Sequence, residues 1–130
     1  MINPLLLDIA LYLINNGVAQ EDGVDIFRDF SPEEPDNVIV LYEYKGSDIV
    51  PYEEKVHRSV QVSVRDIDAD IAREKALSIF KLLQSDTHVV HFTNDRWGQV
   101  YLRQTPFKIK IDNNARTVYG FNVGITTDIE

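Results

Sequence analysis

Val60-Gln61-Val62-Ser63-Val64-Arg65, continuing through Asp66-Ile67-Asp68 into the run from Ala69 to Gln84, is the stretch that decides the fold. Val60, Val62 and Val64 alternate with Gln61, Ser63 and Arg65, which places three β-branched residues on one face of a strand and three polar residues on the other. Beyond it, Ala69, Ala72, Ala76, Ile79, Phe80 and Leu83 recur at spacings of three and four, one apolar helical stripe able to lie on the valine face. Small residues lead the stripe and bulky ones close it, so the helix is expected to approach the sheet most closely at its start. Val56 is in phase with Val60, so the strand extends back to about that residue. His57, Ser59, Gln61, Ser63 and Arg65 then share the polar face, which the pattern leaves available.

Upstream, Asn3-Pro4 reads as a helix cap followed by proline at the first helical position, and Asn16-Gly17 as the matching stop. The helix between them is apolar almost all round, with Asp8 and Asn15 its clearly polar positions. That surplus implies either deep burial or a partner subunit. Ile26 to Phe30 reads as a short strand in which Phe27 and Phe30 cannot share a side. Ser31-Pro32-Glu33-Glu34-Pro35-Asp36-Asn37 reads as an exposed, stiff loop and a possible contact arm. Val38 to Tyr44 is a strand rich in β-branched and aromatic residues, ended by Gly46-Ser47-Asp48, and Pro51-Tyr52-Glu53-Glu54-Lys55 leads into the deciding strand.

Downstream, Ser85-Asp86-Thr87 is a turn, His88 to Phe92 a short extended piece, and Asn94-Asp95-Arg96-Trp97-Gly98 a loop. Val100 to Leu102, Phe107 to Ile111 and Thr117 to Thr126 then read as strands. Pro106 marks a bend or sheet edge, and Asp112-Asn113-Asn114-Ala115 a hairpin turn, since Asp and Asn tolerate positive φ. The expected fold is a single α+β domain over residues 1–130. Its sheet is mixed but largely antiparallel, with the N-terminal and central helices packed on one face in the order α-β-β-α-β-β.

Composition narrows the function. Thirteen basic against twenty-one acidic side chains give a formal net charge of −8, which disfavours a sequence-independent grip on nucleic-acid phosphates. The chain has no cysteine, which removes disulfides, thiolate metal sites and cysteine nucleophiles. No stretch approaches the roughly 20 apolar residues of a membrane span. The opening run lacks the basic leader and cleavage site of a signal peptide, so cytoplasmic synthesis is expected.

Asp66-Ile67-Asp68-Ala69-Asp70 begins like a calcium loop, but Ile71 stands where the sharp turn needs glycine and Leu77 where a bidentate glutamate is needed. These acids read first as a helix cap. His88 and His91 could meet one metal on a helix, yet Val89, Val90 and Phe92 favour an extended backbone that points them apart. Trp97 beside Arg96 reads as either an interface anchor or a lid on the core. Glu33 with Glu34, and Glu53 with Glu54, are adjacent loop acids, not a separated acid and base. No nucleophile elbow, phosphate loop or dinucleotide fingerprint is present. No catalytic residue, cofactor or metal site is therefore assigned.

The order of an apolar N-terminal helix, a strand, the Val60–Arg65 strand, the helix containing Ala72-Arg73-Glu74-Lys75-Ala76-Leu77, and the hairpin from Pro106 to Val123 resembles the tail terminator proteins of long-tailed bacteriophages and prophages, also called tail completion or minor capsid proteins. The resemblance implies a non-enzymatic α+β subunit that oligomerises, typically as a hexameric ring, at the head-proximal end of the tail tube. There it stops tube growth and joins the head connector or head completion protein, DNA passing through without specific binding. It implies a place in the virion tail at the head–tail interface, and no membrane. The family supplies no residue motif to carry over, so the interface candidates rest on position. They are His57, Ser59, Gln61, Ser63 and Arg65 on the polar strand face, Glu33, Glu34 and Asp36 in the acidic loop, and Trp97. The alternative is a small monomeric ligand-binding or metal-dependent enzymatic domain using Asp66, Asp68, Asp70, His88 and His91.

Overall fold

A computed structural model describes residues 3–44, 55–93 and 95–128. Helix α1 (Leu5–Asn15) is followed by β1 (Ile26–Arg28), β2 (Val38–Tyr44), β3 (Lys55–Asp66), α2 (Ala69–Leu83), β4 (Val89–Thr93), β5 (Arg96–Leu102), β6 (Phe107–Ile111) and β7 (Thr117–Asp128). The strands form one seven-stranded sheet in the order β1-β2-β3-β7-β5-β4, with β6 also paired to β7. Among the described strands β1 and β2 run parallel and the other pairs are antiparallel. The expected α+β class, its largely antiparallel sheet and its two helices on one face are all present.

The deciding strand is the longest pairing in the molecule, running against β7 from Lys55↔Asp128 to Asp66↔Thr117. Val60, Val62 and Val64 are buried on the helix side together with Ile39 and Leu41 of β2 and Phe121, Val123 and Ile125 of β7. Ala72, Ala76, Ile79 and Leu83 of α2 close on them, and Phe80 meets Phe121 edge to face at 5.4 Å. Asp68 caps α2 as expected, its carboxylate accepting from the backbone N–H of Asp70 at 2.9 Å and of Ile71 at 3.4 Å. Ala69 lies exposed, so the close approach of the small residues begins at Ala72.

Helix α1 buries its main apolar stripe, while Leu7, Leu11, Tyr12 and Ile14 stay half-buried. It lies against β4 on one side and β1 and β2 on the other, bridging the two ends of the sheet. Leu5, Leu6, Ile9, Ala10 and Leu13 are buried. One expectation changes. Pro4, not Asn3, occupies the cap position, and the Asn3 amide instead donates to the Asp8 carboxylate at 3.0 Å. Asp8 itself is 2% exposed and accepts from Arg96 Nε at 2.6 Å.

Several details differ from the sequence reading. Trp97 sits in a strand, because β5 begins at Arg96 and not after the loop. Arg96 and Gly98 point inward, and Gly98 leaves the space that the Phe92 ring fills; a Cβ there would come within 2.7 Å of that ring. Phe27 and Phe30 do come together, with ring centroids 6.3 Å apart, because Asp29 adopts φ 55° and ends the strand between them. The turn after β6 forms at the expected place, but Ala115 takes the positive φ while Asp112 supplies the hydrogen-bonding carboxylate. The strand-ending residues Gly46-Ser47-Asp48, the lead-in Pro51 to Glu54 and Asn94 lie outside the described residues.

Candidate interface surface

The face of the sheet away from the helices carries the polar side chains of β3. Five of them were expected to lie open, and the chain itself covers three. Ser59 is buried and its hydroxyl accepts from Arg103 Nη2 at 3.0 Å. Ser63 is buried and donates to the Val40 carbonyl at 3.0 Å. Arg65 is buried under the Ser31–Asn37 segment, donating to the carbonyls of Asp36 at 3.1 Å and Pro35 at 2.7 Å and to Ser31 Oγ at 3.2 Å. Burial, then the neighbouring Arg116 guanidinium, pull Arg65 below the ordinary arginine range. His57 and Gln61 stay half-buried, the first sharing a 2.6 Å hydrogen bond with Thr126 Oγ1, the second donating to Asn122 Oδ1 at 3.4 Å.

The physical reason is the number of donors on an arginine. Its guanidinium can satisfy several carbonyls of a loop that has no ladder of its own. Arg116 acts on the same loop from the opposite side, donating to the Glu33 carbonyl and lying 3.4 Å from the Asp36 carboxylate. It also reaches Asp112 at 2.8 Å, so the β6–β7 turn and the acidic loop are joined through one cation. Hydrogen bonds from the Arg116 backbone and side chain, with that of Asn114, hold the Asp112 carboxyl below its ordinary range. The loop is therefore pinned by its backbone while the side chains of Glu33, Glu34 and Asp36 remain exposed.

Between this loop and β6 lies a groove of about 350 Å³, with Val40, Tyr42, Gln61 and Val118 on its floor and Ile109 and Lys110 on its far wall. Gln61, Ser63 and Arg65 are thus brought together with the acidic loop. Trp97 is not. It lies on the β4–β5 hairpin, 59% exposed, with its ring stacked on His91 at 4.1 Å and an interplanar angle of 7°. It is no lid on the core. His88 stands apart, facing Tyr101, with centroids 6.2 Å apart.

The acids that imitated a calcium loop serve the backbone: Asp66 accepts from the Asp68 N–H at 2.9 Å and Asp68 caps α2. Sequence reasoning missed β6 as a surface. All three of its large apolar residues escape burial, Phe107 being 39% and Ile111 59% exposed, although they alternate with the two lysines. Its register against β7 slips between Lys108 and Lys110, and Ile109 folds over Gly120 instead of entering the core. The mixed strand of lysines and aliphatics was the available sign, since lysine on a strand commonly marks an edge.

Among the described residues no helix is long and apolar enough to cross a membrane. No curated protein matches the chain. A family model described as bacteriophage tail terminator protein matches residues 12–129, from within α1 to the end of β7, the span that holds the sheet, α2 and the groove. With nearly its whole length matched, this chain belongs to the bacteriophage tail terminator protein family.

Proposed function

We propose that the chain is a structural assembly protein of the virion that forms a ring at the head-proximal end of the tail tube, ends tube polymerisation and offers the surface to which the head is joined. The observation that carries this reading is the family match over residues 12–129. The molecule is suited to it. A ring requires two different surfaces on one subunit that meet head to tail. The groove between the acidic loop and β6 is one such surface, and the Trp97–His91 stack on the β4–β5 hairpin is another. The partners are further copies of this chain, the tube protein and a head connector or head completion protein. No enzymatic step is invoked, because the acids and histidines that first invited one cap a helix or stack on aromatic rings.

The test is tube assembly with purified components. Tubes grown from the matching tube protein should stop lengthening when this chain is added, and negative-stain images should show a closed ring at one end. Tubes that continue to grow, with no ring at either tip, contradict the proposal.

A further inference from the structure

Strand β5 is paired along one flank with β7 as far as Leu102, but β4 accompanies its other flank only from Gln99 backward. The cause is His88. Its φ of 60° turns the chain, so the Val100 N–H still donates to the His88 carbonyl at 2.7 Å, while the His88 N–H bends back to the Ser85 carbonyl at 3.1 Å. The Val100 carbonyl points the same way as its N–H and is left without a backbone partner among the described residues. Residues two apart in a strand aim their N–H groups to the same flank, so that of Leu102 faces the place β4 has vacated, and no described residue there pairs with it. The Arg103 N–H points the opposite way, to the Asn122 carbonyl at 3.2 Å. Beside this short open edge lies a hollow of about 640 Å³. Phe80 and Leu83 of α2 and Val100 and Leu102 of β5 give it an apolar floor, and the exposed Asp86 and His88 stand at its rim.

We propose that this edge and hollow form a docking site for an extended segment of a partner protein of different sequence, a segment with one bulky aliphatic residue flanked by lysine or arginine. The segment takes the place that β4 leaves, its backbone pairing with the Leu102 N–H and the Val100 carbonyl, as strand addition at an open edge requires. Its aliphatic side chain enters the hollow between α2 and β5. The flanking cations follow from the charge at the rim. Asp86 is the one ionised side chain among the lining residues, and the chain as a whole carries −8. The carbonyls of Leu83 and Gln84, at the negative end of α2, accept no backbone hydrogen bond among the described residues. A second copy offers Lys108-Ile109-Lys110 in β6, but it is a poor fit, because Ile109 already lies over Gly120 and is not free to enter a hollow. The site does not depend on ring formation.

The experiment titrates the full chain into a fluorescein-labelled, acetylated Thr-Lys-Leu-Lys-Thr peptide, followed by anisotropy at about 150 mM salt, where distant charges are largely screened. The same peptide with aspartate in place of leucine should not bind, and one with an N-methylated leucine should bind about tenfold more weakly, the loss of one backbone hydrogen bond. Asp86→Lys should weaken binding about fivefold, the scale of one exposed ion pair, with an unchanged thermal melt because the side chain is exposed. Glu33→Lys with Glu34→Lys reverses acids that do not line the hollow and should leave the affinity as it was. Hydrogen exchange reads the backbone directly: the Leu102 amide should exchange freely in the chain alone and slow when the peptide is added. The site is overturned if no peptide binding saturates by about 5 mM, a bound weaker than any useful contact. It is equally overturned if the aspartate and N-methyl peptides bind as well as the parent, or if the Leu102 amide is already protected without peptide. If light scattering shows an oligomer of the chain that the peptide dissociates, the edge belongs to a second copy, and the assignment to a partner of different sequence falls.

Discussion

Arg96 and Asp8 illustrate how much one pair can decide. Both are 2% exposed, and Arg96 also donates to Thr127 Oγ1 at 3.1 Å and to the Asn3 carbonyl at 2.7 Å. The pair joins α1, β5 and the end of β7, Asp8 lying 88 residues and Thr127 31 residues from Arg96 in sequence. Removing the carboxylate while keeping the guanidinium buried is costly, whereas apolar replacement of both is often tolerated. Asp8→Ala should therefore lower stability by about 3 kcal/mol, and Asp8→Leu with Arg96→Met should recover most of the loss. Urea melts of the single and double variants check this; equal losses would mean that packing of α1, not the charge pair, matters at that site. Neither residue announced itself in the sequence. An aspartate at the eighth position of an apolar helix reads as the solvent side, and only a partner from a distant strand reverses that. Gly120 was silent for the same reason: its role depends on the Val62 carbonyl, which a Cβ at this position would approach to 2.2 Å.

Whole elements were more legible than their edges. The valine alternation of β3 and the alanine stripe of α2 were readable because each is a period fixed by local geometry and buried by one neighbour. The helix ends at Asp68 and Gly17 followed from capping chemistry. What failed was the outer face of β3, where Ser59, Ser63 and Arg65 are covered by a loop and an arginine from elsewhere in the chain. Periodicity gives a face its polarity but cannot say which loop will cross it. The β6–β7 hairpin shows the consequence, since its turn is tied to the acidic loop through Asp112 and Arg116. The Asp112 carboxyl is held below its ordinary value, so its contribution to stability is complete above the unfolded value of about 3.9 and is lost as pH falls through the lower folded value. Thermal melts between pH 7 and pH 2.5 should fall at the acid end. Asp112→Asn should be less stable than the parent at neutral pH and show a shallower acid decline; an unchanged slope would place the acid sensitivity elsewhere.

At the scale of the whole molecule, charge bears on whether the chain grips nucleic acid. Binding to duplex DNA without sequence preference draws its free energy from cations that displace counterions from phosphates. Here the acids exceed the bases by eight, and several bases are already engaged: Arg65, Arg96 and Arg116 are buried, and Arg28, Arg58 and Lys55 are in ion pairs. Lys108 and Lys110 are exposed, but two neighbouring lysines neutralise too few phosphates to make a track. The surface of the chain is therefore predominantly acidic, which disfavours a grip on duplex DNA. The expected result is that labelled duplex shows no anisotropy change with the purified chain at salt between about 50 and 200 mM, the range in which a backbone-gripping protein loses most of its affinity. Micromolar binding at low salt that falls steeply across this range would show that a cationic track exists, with Lys108 and Lys110 of β6 its first candidates.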